Sequence, residues 1–141
     1  MTVQTYGYKY TYTAYNVNET KAIIFAVFGH GGAHIGLFPT IYPSHADKEF
    51  YEIGIGQNST FLRKFGEIGP KMKEIPQGHS LELGQMFWLS WEDNKIALGH
   101  GEKPGNNTIF LFEERDIPLA IHHLAFSSND SWHTWKYYDG M

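Results

Sequence analysis

FYEIGIGQNSTFLRKF, residues 50–65, is the stretch on which the fold turns. Phe50 to Ile55 and Thr60 to Phe65 flank Gly56-Gln57-Asn58-Ser59, the pattern of two short strands joined by a tight polar turn. A hairpin closed by Gln57-Asn58 sets Glu52 directly opposite Arg63, a cross-strand pair of opposite charge.

The same two-residue period recurs on both sides of this hairpin. Tyr6, Tyr8, Tyr10 and Tyr12 occupy every second position, as in a half-buried strand. Thr20 to Phe28 is apolar on both alternating sets, which suits a central strand covered on both faces or a subunit contact. Gly29-His30-Gly31-Gly32 interrupts it, and Ala33 to Phe38 resumes until Pro39, which cannot donate to a ladder. Further on, Gln85 to Trp91, the turn Glu92-Asp93-Asn94 and Lys95 to Gly99 form a second hairpin. Thr108 to Glu113, Leu119 to Ser127 and Trp132 to Tyr138 bring the total to about ten strands, the spacing of a sandwich or barrel. Ser44 to Lys48 and Gly66 to Gly78, the latter with Pro70 and Pro76, read as loops. The expectation is one all-β domain over residues 1–141, an antiparallel β-sandwich.

Composition narrows the function classes. Hydrophobic residues make up 42% and charged residues 18% of the chain, which suits a packed core and excludes a disordered tail. No apolar run approaches the roughly 20 residues of a membrane helix, so no membrane insertion is expected. The net charge of −4 and the scattered basic residues argue against nucleic acid as a partner. No cysteine is present, which removes disulfides and thiolate chemistry and suits a reducing compartment. No signal peptide is visible in MTVQTYGYKY, so localisation stays open between the cytoplasm and secretion by a non-standard route. Asn-x-Ser/Thr triplets at Asn18, Asn58, Asn106 and Asn129 are of a kind that arises often by chance and carry little weight.

Three motifs stand in order: Ala33-His34-Ile35-Gly36-Leu37, then Tyr51-Glu52-Ile53-Gly54-Ile55-Gly56 with Asn58 and Arg63, then Phe87-Trp88-Leu89-Ser90-Trp91. Together they resemble the farnesoic acid O-methyltransferase-like domain family, over roughly residues 20 to 135. Leu89 stands where the family usually has Ile, and Ser128-Asn129-Asp130-Ser131 replaces its closing glycine-rich stretch. The resemblance implies an antiparallel β-sandwich related to invertebrate lectins that recognise galactose-containing glycans such as N-acetyllactosamine. It also implies a packed role for His34, with its ring nitrogens bonded to backbone. The family name suggests methyl transfer to a terpenoid acid. Against that, the sequence has no strand followed by a Gly-rich turn and helix to hold a nucleotide cofactor, and no cofactor is expected.

Saccharides are bound by stacking an aromatic ring on the sugar's apolar face while polar side chains take its hydroxyls. Trp132 and His133 follow Asn129 and Asp130, which makes Trp132 a candidate stacking platform beside short donors and acceptors. Core packing is the alternative role for Trp132, and the expected one for Trp88 and Trp135. Glu52 is a candidate to orient the Arg63 guanidinium toward a sugar hydroxyl, near Asn58 in the turn; a plain surface ion pair is the alternative. His100 opens the polar loop to Asn107 and joins the candidates, with a solvated loop as its alternative. His30 with His34, and His122 with His123, lack the ligand number of a zinc site, so no metal is expected.

No nucleophile elbow or facing carboxylate pair points to hydrolysis. The leading function is a non-enzymatic lectin for galactose-containing glycans. A protein-interaction or structural sandwich is the runner-up and a terpenoid-acid methyltransferase the third. Because a single sugar site is weak, a homo-oligomer is expected, joined through the tyrosine stripe or the Ile23–Phe28 strand.

Overall fold

A strand shows successive side chains to opposite faces, so alternating sequences bury one set between two layers and leave the other outside. The computed structural model describes residues 1–44, 48–66 and 69–139. It contains two six-stranded sheets. The first runs β1 (Thr2–Tyr6), β12 (Trp132–Asp139), β3 (Ala22–Gly29), β8 (Gln85–Glu92), β9 (Lys95–His100), β10 (Thr108–Glu113). The second runs β2 (Thr11–Tyr12), β11 (His123–Ser128), β4 (Ala33–Phe38), β5 (Tyr51–Ile55), β6 (Thr60–Lys64), β7 (Lys71–Ile75). Neighbouring strands are antiparallel, as in the β3–β8 and β4–β5 pairs. The expected sandwich is therefore the observed fold, with twelve strands instead of about ten.

The β5–β6 hairpin has the register counted from the sequence, with Glu52 opposite Arg63 and Ile55 opposite Thr60. The β8–β9 hairpin closes through Asp93 and Asn94, whose φ angles of 55° and 61° are the left-handed pair of a type I′ turn. Asn and Asp tolerate that region, and the turn matches the strands' right-handed twist.

The core lies between the sheets. Ile23, Phe25 and Val27 of β3, Phe87 and Leu89 of β8 and Trp135 of β12 are fully or almost fully buried, as are Ile35, Leu37, Ile53 and Phe126 of the second sheet. Phe126 and Trp135 stack across the layers with centroids 4.2 Å apart, and burial of each such ring contributes on the order of 2–3 kcal/mol. Trp88 is just as buried, but it points outward and is covered by the loop after β9, where its indole N–H donates to the Asn106 carbonyl at 2.7 Å.

Three segments differ from expectation. The strand expected over residues 119–127 begins only at His123, as β11. The tyrosine stripe is not one strand: Tyr6 ends β1 in the first sheet and Tyr12 lies in β2 of the second. Gly7 between them takes a φ of +66° and carries the chain from one sheet to the other. Within the stretch expected to be loop, Lys71–Ile75 forms edge strand β7. Four of its five residues are exposed, Lys71, Lys73 and Glu74 among them, so no hydrophobic alternation marks it, and charged side chains of this kind are how natural edge strands resist further pairing. The remainder of that expected loop includes residues 67–68, and the Ser44–Lys48 loop includes residues 45–47; these lie outside the described residues. No helix among the described residues is long and apolar enough to cross a membrane.

Candidate functional site

On the second sheet, Ile35 of β4, Ile53 of β5 and Leu62 of β6 point inward. Their neighbours His34, Glu52, Gly54, Phe61 and Arg63 therefore project from the outer face, and register aligns His34 with Gly54 and Gly54 with Phe61. Gly54 is needed for the shape of this face: a Cβ there would lie 2.2 Å from the Phe61 ring, which rests on the bare backbone. The Arg63 guanidinium carbon and the Lys71 ammonium each sit 4.9 Å from the Phe61 centroid, within cation–π range.

After the bend at Gly7 the chain lies over the other half of this face. The hydroxyls of Tyr8 and Tyr10 both donate to Oε2 of Glu52, the second at 2.7 Å. Glu52 is only 1% exposed. Burying a carboxylate is costly unless hydrogen bonds and opposite charge compensate, and here two phenols and the Arg63 position across the ladder surround it. Burial, followed by the negative field of Glu52, pushes the Tyr10 hydroxyl well above its ordinary value of 10.0. It therefore stays a donor throughout the physiological range. The Tyr8 ring lies 5.0 Å from that of His34. Burial pushes His34 below its ordinary value of 6.5, so the imidazole is neutral at pH 7. Half-exposed Tyr8, His34, Phe61 and Arg63 thus ring a buried acid, a surface of rings and fixed polar groups.

The second group of candidates lies at one end of the sandwich. His133, Trp135 and Tyr137 point inward, so Trp132 faces out from the first sheet, 62% exposed, with its ring 4.7 Å from that of Tyr6. The Trp132 ring stands by an open cleft of about 520 Å³ that Gln4, Phe28, Glu82 and Thr134 also help to line. His133 reaches the same cleft but is buried, with Nδ1 2.7 Å from the Ser128 hydroxyl and Nε2 3.2 Å from the Gly31 carbonyl. Burial pushes it, too, below 6.5. Asn129 and Asp130 are exposed in the turn between β11 and β12, where the Asn129 backbone donates to the Gly32 carbonyl at 3.0 Å.

The expected site residues thus divide between two surfaces. Glu52 and Arg63 share the outer face of the second sheet, and Asn58 is exposed at the tip of the same hairpin. Trp132 stands on the outer face of the first sheet and does not meet them. His100 is half-buried, stacked on Phe87 at 4.9 Å, with Nε2 2.7 Å from the Gln85 side-chain oxygen. Tyr8, Tyr10, His34 and Phe61 were absent from the sequence candidates. His34 keeps part of its expected role through a hydrogen bond with the Ser128 backbone, while its Nδ1 is buried without a hydrogen-bond partner among the described residues. The tyrosine stripe was visible in the sequence, but the bend that turns it onto Glu52 was not. Among the described residues no three His, Asp or Glu side chains converge as a metal site.

Comparison with known proteins adds a family and a fold. Residues 3–141 match the family model described as farnesoic acid O-methyl transferase. A Haliotis asinina protein named Uncharacterized protein 5 is 27% identical over 123 residues, covering 83% of this chain and 68% of its own. The carbohydrate-binding module CBM66 from Bacillus subtilis superposes with a TM-score of 0.67 at 9% identity, covering 94% of this chain and 82% of that one. Galectin LEC-6 of Caenorhabditis elegans superposes with a TM-score of 0.59 at 9% identity, covering 96% of this chain and 95% of that one. At such identities the likeness to these two structures is one of fold.

Proposed function

From the premise that the chain belongs to the farnesoic acid O-methyltransferase family, we propose that it is a one-domain, non-catalytic carbohydrate-binding module of lectin type. Its ligands are galactose-containing glycans such as N-acetyllactosamine, seated on the outer face of the second sheet. The observation that carries this reading is the buried Glu52 carboxylate, held by the Tyr8 and Tyr10 hydroxyls opposite half-exposed Arg63. A carboxylate engaged by two phenols is held in one orientation. It directs the Arg63 fork and the Tyr8 ring, while Phe61 offers a ring to the sugar's apolar face. With His34 neutral, the acid of Glu52 is balanced by nearby guanidinium and ammonium groups, which suits an uncharged saccharide.

Trp132, with Asn129 and Asp130 in the preceding turn, provides a second stacking surface at the rim. Asn58 borders the main face from the hairpin tip, and His100 and His133 shape the rim from beneath. A single shallow site gains useful strength only through several copies. Ile24, Phe28 and Tyr138 on the outer face of the first sheet supply the apolar contact for a homo-oligomer.

The test is a broad glycan array followed by competition with free lactose. Retention on galactose-terminated glycans that lactose reverses is the expected result. Failure to retain any glycan would shift the assignment to a protein-interaction module, and turnover of S-adenosylmethionine with a terpenoid acid would shift it to an enzyme.

A further inference from the structure

Beneath the Trp132 rim, buried side chains of β1, β11 and β12 form one continuous chain of hydrogen bonds. The Trp135 indole N–H donates to the Thr5 hydroxyl at 2.9 Å, and the Thr5 and Ser128 hydroxyls are 2.7 Å apart. Ser128 Oγ lies 2.7 Å from His133 Nδ1, and His133 Nε2 lies 3.2 Å from the Gly31 carbonyl. Thr5 is 2% exposed and the other three side chains less.

The two ends of the chain fix its direction. An indole nitrogen only donates and a carbonyl only accepts. Every hydrogen therefore finds an acceptor when Thr5 donates to Ser128, Ser128 donates to Nδ1, and a neutral imidazole carries its proton on Nε2 for Gly31. A second ring proton, on Nδ1, has to be given to Ser128 and turns both hydroxyls round. Thr5, already accepting from Trp135, then keeps a buried hydrogen with no acceptor in the chain, which is costly in a dry interior. The ring is wedged against the bare Gly29 backbone, where a Cβ would stand 2.4 Å from its Cδ2. Burial holds the imidazole below its ordinary value of 6.5. The titratable groups around it are His30, Glu82 and Asp130 on the adjoining loops and His34 on β4, but its two nitrogens are taken by Ser128 and Gly31.

Ser128 is also where this chain meets the glycan face. Its backbone N–H donates to the Gly7 carbonyl at 3.0 Å, at the bend that lays Tyr8 and Tyr10 onto Glu52, and its backbone bonds the His34 ring. Water admitted to satisfy the stranded Thr5 hydrogen has to part β1 from β11 beside that bend. We propose that His133 is an acid-operated latch on the glycan face: a second ring proton turns the chain round, loosens Ser128 from the Gly7 bend and releases bound glycan. The release rests on the assignment of glycans to the second sheet's outer face; the hydrogen-bond chain does not.

The test follows the Trp135 indole N–H of ¹⁵N-labelled, ligand-free protein through an acid titration, with the histidine ring nitrogens observed alongside. At pH 7 His133 should be neutral with its proton on Nε2. On acidification the Trp135 indole and the Gly7 and Ser128 amides should move with the midpoint of the His133 ring. In calorimetry, N-acetyllactosamine should bind about tenfold more weakly one pH unit below that midpoint than at pH 7, because the neutral fraction has fallen to about a tenth. Over the same interval Ser128→Ala, which loses only the hydroxyl, and His133→Asn, which offers Ser128 an acceptor that takes no proton, should each lose less than about threefold. A proton on Nδ1 at pH 7, a Trp135 indole or Gly7 amide that ignores His133, or a pH dependence undiminished in both variants, which would place it on His34, would each overturn the latch. Absence of glycan binding at pH 7 would defeat the glycan assignment, and the ligand-free titration would still decide whether His133 governs the Gly7 bend.

Discussion

The two outer faces of the sandwich are built from the same alternating strands and end in opposite chemistry. On the first sheet, Phe28, Trp132 and Tyr138 are 38%, 62% and 47% exposed, and the polar groups among them, such as Gln4, Thr134 and Lys136, surround no buried charge among the described residues. On the second, the rings of Tyr8 and Phe61 frame a carboxylate that is almost wholly withdrawn from water. Exposed rings alone give adhesion without orientation. Rings beside fixed donors and acceptors give orientation as well, and a sugar is distinguished from its isomers by where its hydroxyls point. That difference is why the glycan is assigned to the second face and the self-contact to the first.

The largest effect is expected from Tyr10→Phe. It removes a donor from a buried carboxylate, which should cost about 1.5–3 kcal/mol of stability in urea unfolding, whereas the same loss of a hydroxyl at exposed Tyr138 should change stability by less than about 0.5 kcal/mol. Equal costs would erase the distinction between the faces. Arg63→Lys comes next: calorimetry with N-acetyllactosamine should show about tenfold weaker binding, near 1.4 kcal/mol, with an unchanged melting temperature. A point charge cannot replace the guanidinium fork, and full binding by the lysine variant would remove Arg63 from the site.

Acid should act through the buried imidazoles. His34, His79 and His133 all have folded-state values held below 6.5 by burial. The unfolded chain therefore takes up their protons first, so their contribution is complete above pH 6.5 and is lost as pH falls through the folded values. Glu114 has the same sign in a lower window. Burial would raise it, but the bonds from Lys64 and Tyr51 outweigh burial and hold it below 4.5. The melting temperature should therefore decline from pH 6.5 downward and decline again below 4.5. A melting temperature that rose on acidification would contradict the buried, neutral state assigned to these histidines. The smallest effect is expected from Trp132→Ala, a loss of about threefold or less in affinity for a single N-acetyllactosamine; a larger loss than that of Arg63→Lys would reverse the order of the two faces.

Local chemistry made the hairpins legible: a two-residue polar turn counted from Gln57-Asn58 returns the Glu52–Arg63 register, and Asp93-Asn94 marks the other turn. Strand β7 escaped because an exposed edge has no buried set to alternate. The partners of Glu52 escaped for a different reason. Tyr8 and Tyr10 stand 44 and 42 residues away in the chain, and a periodicity that lasts a few residues says nothing about contacts made through the closing of a sandwich.

The most direct test of the central claim is chemical-shift mapping of the labelled protein with lactose. Saturable perturbations centred on the amides of His34, Gly54, Phe61 and Arg63, and reduced in Arg63→Lys, are predicted. Perturbations confined to the Trp132 rim, or none at all, would contradict the assignment of the second sheet's outer face as the glycan surface.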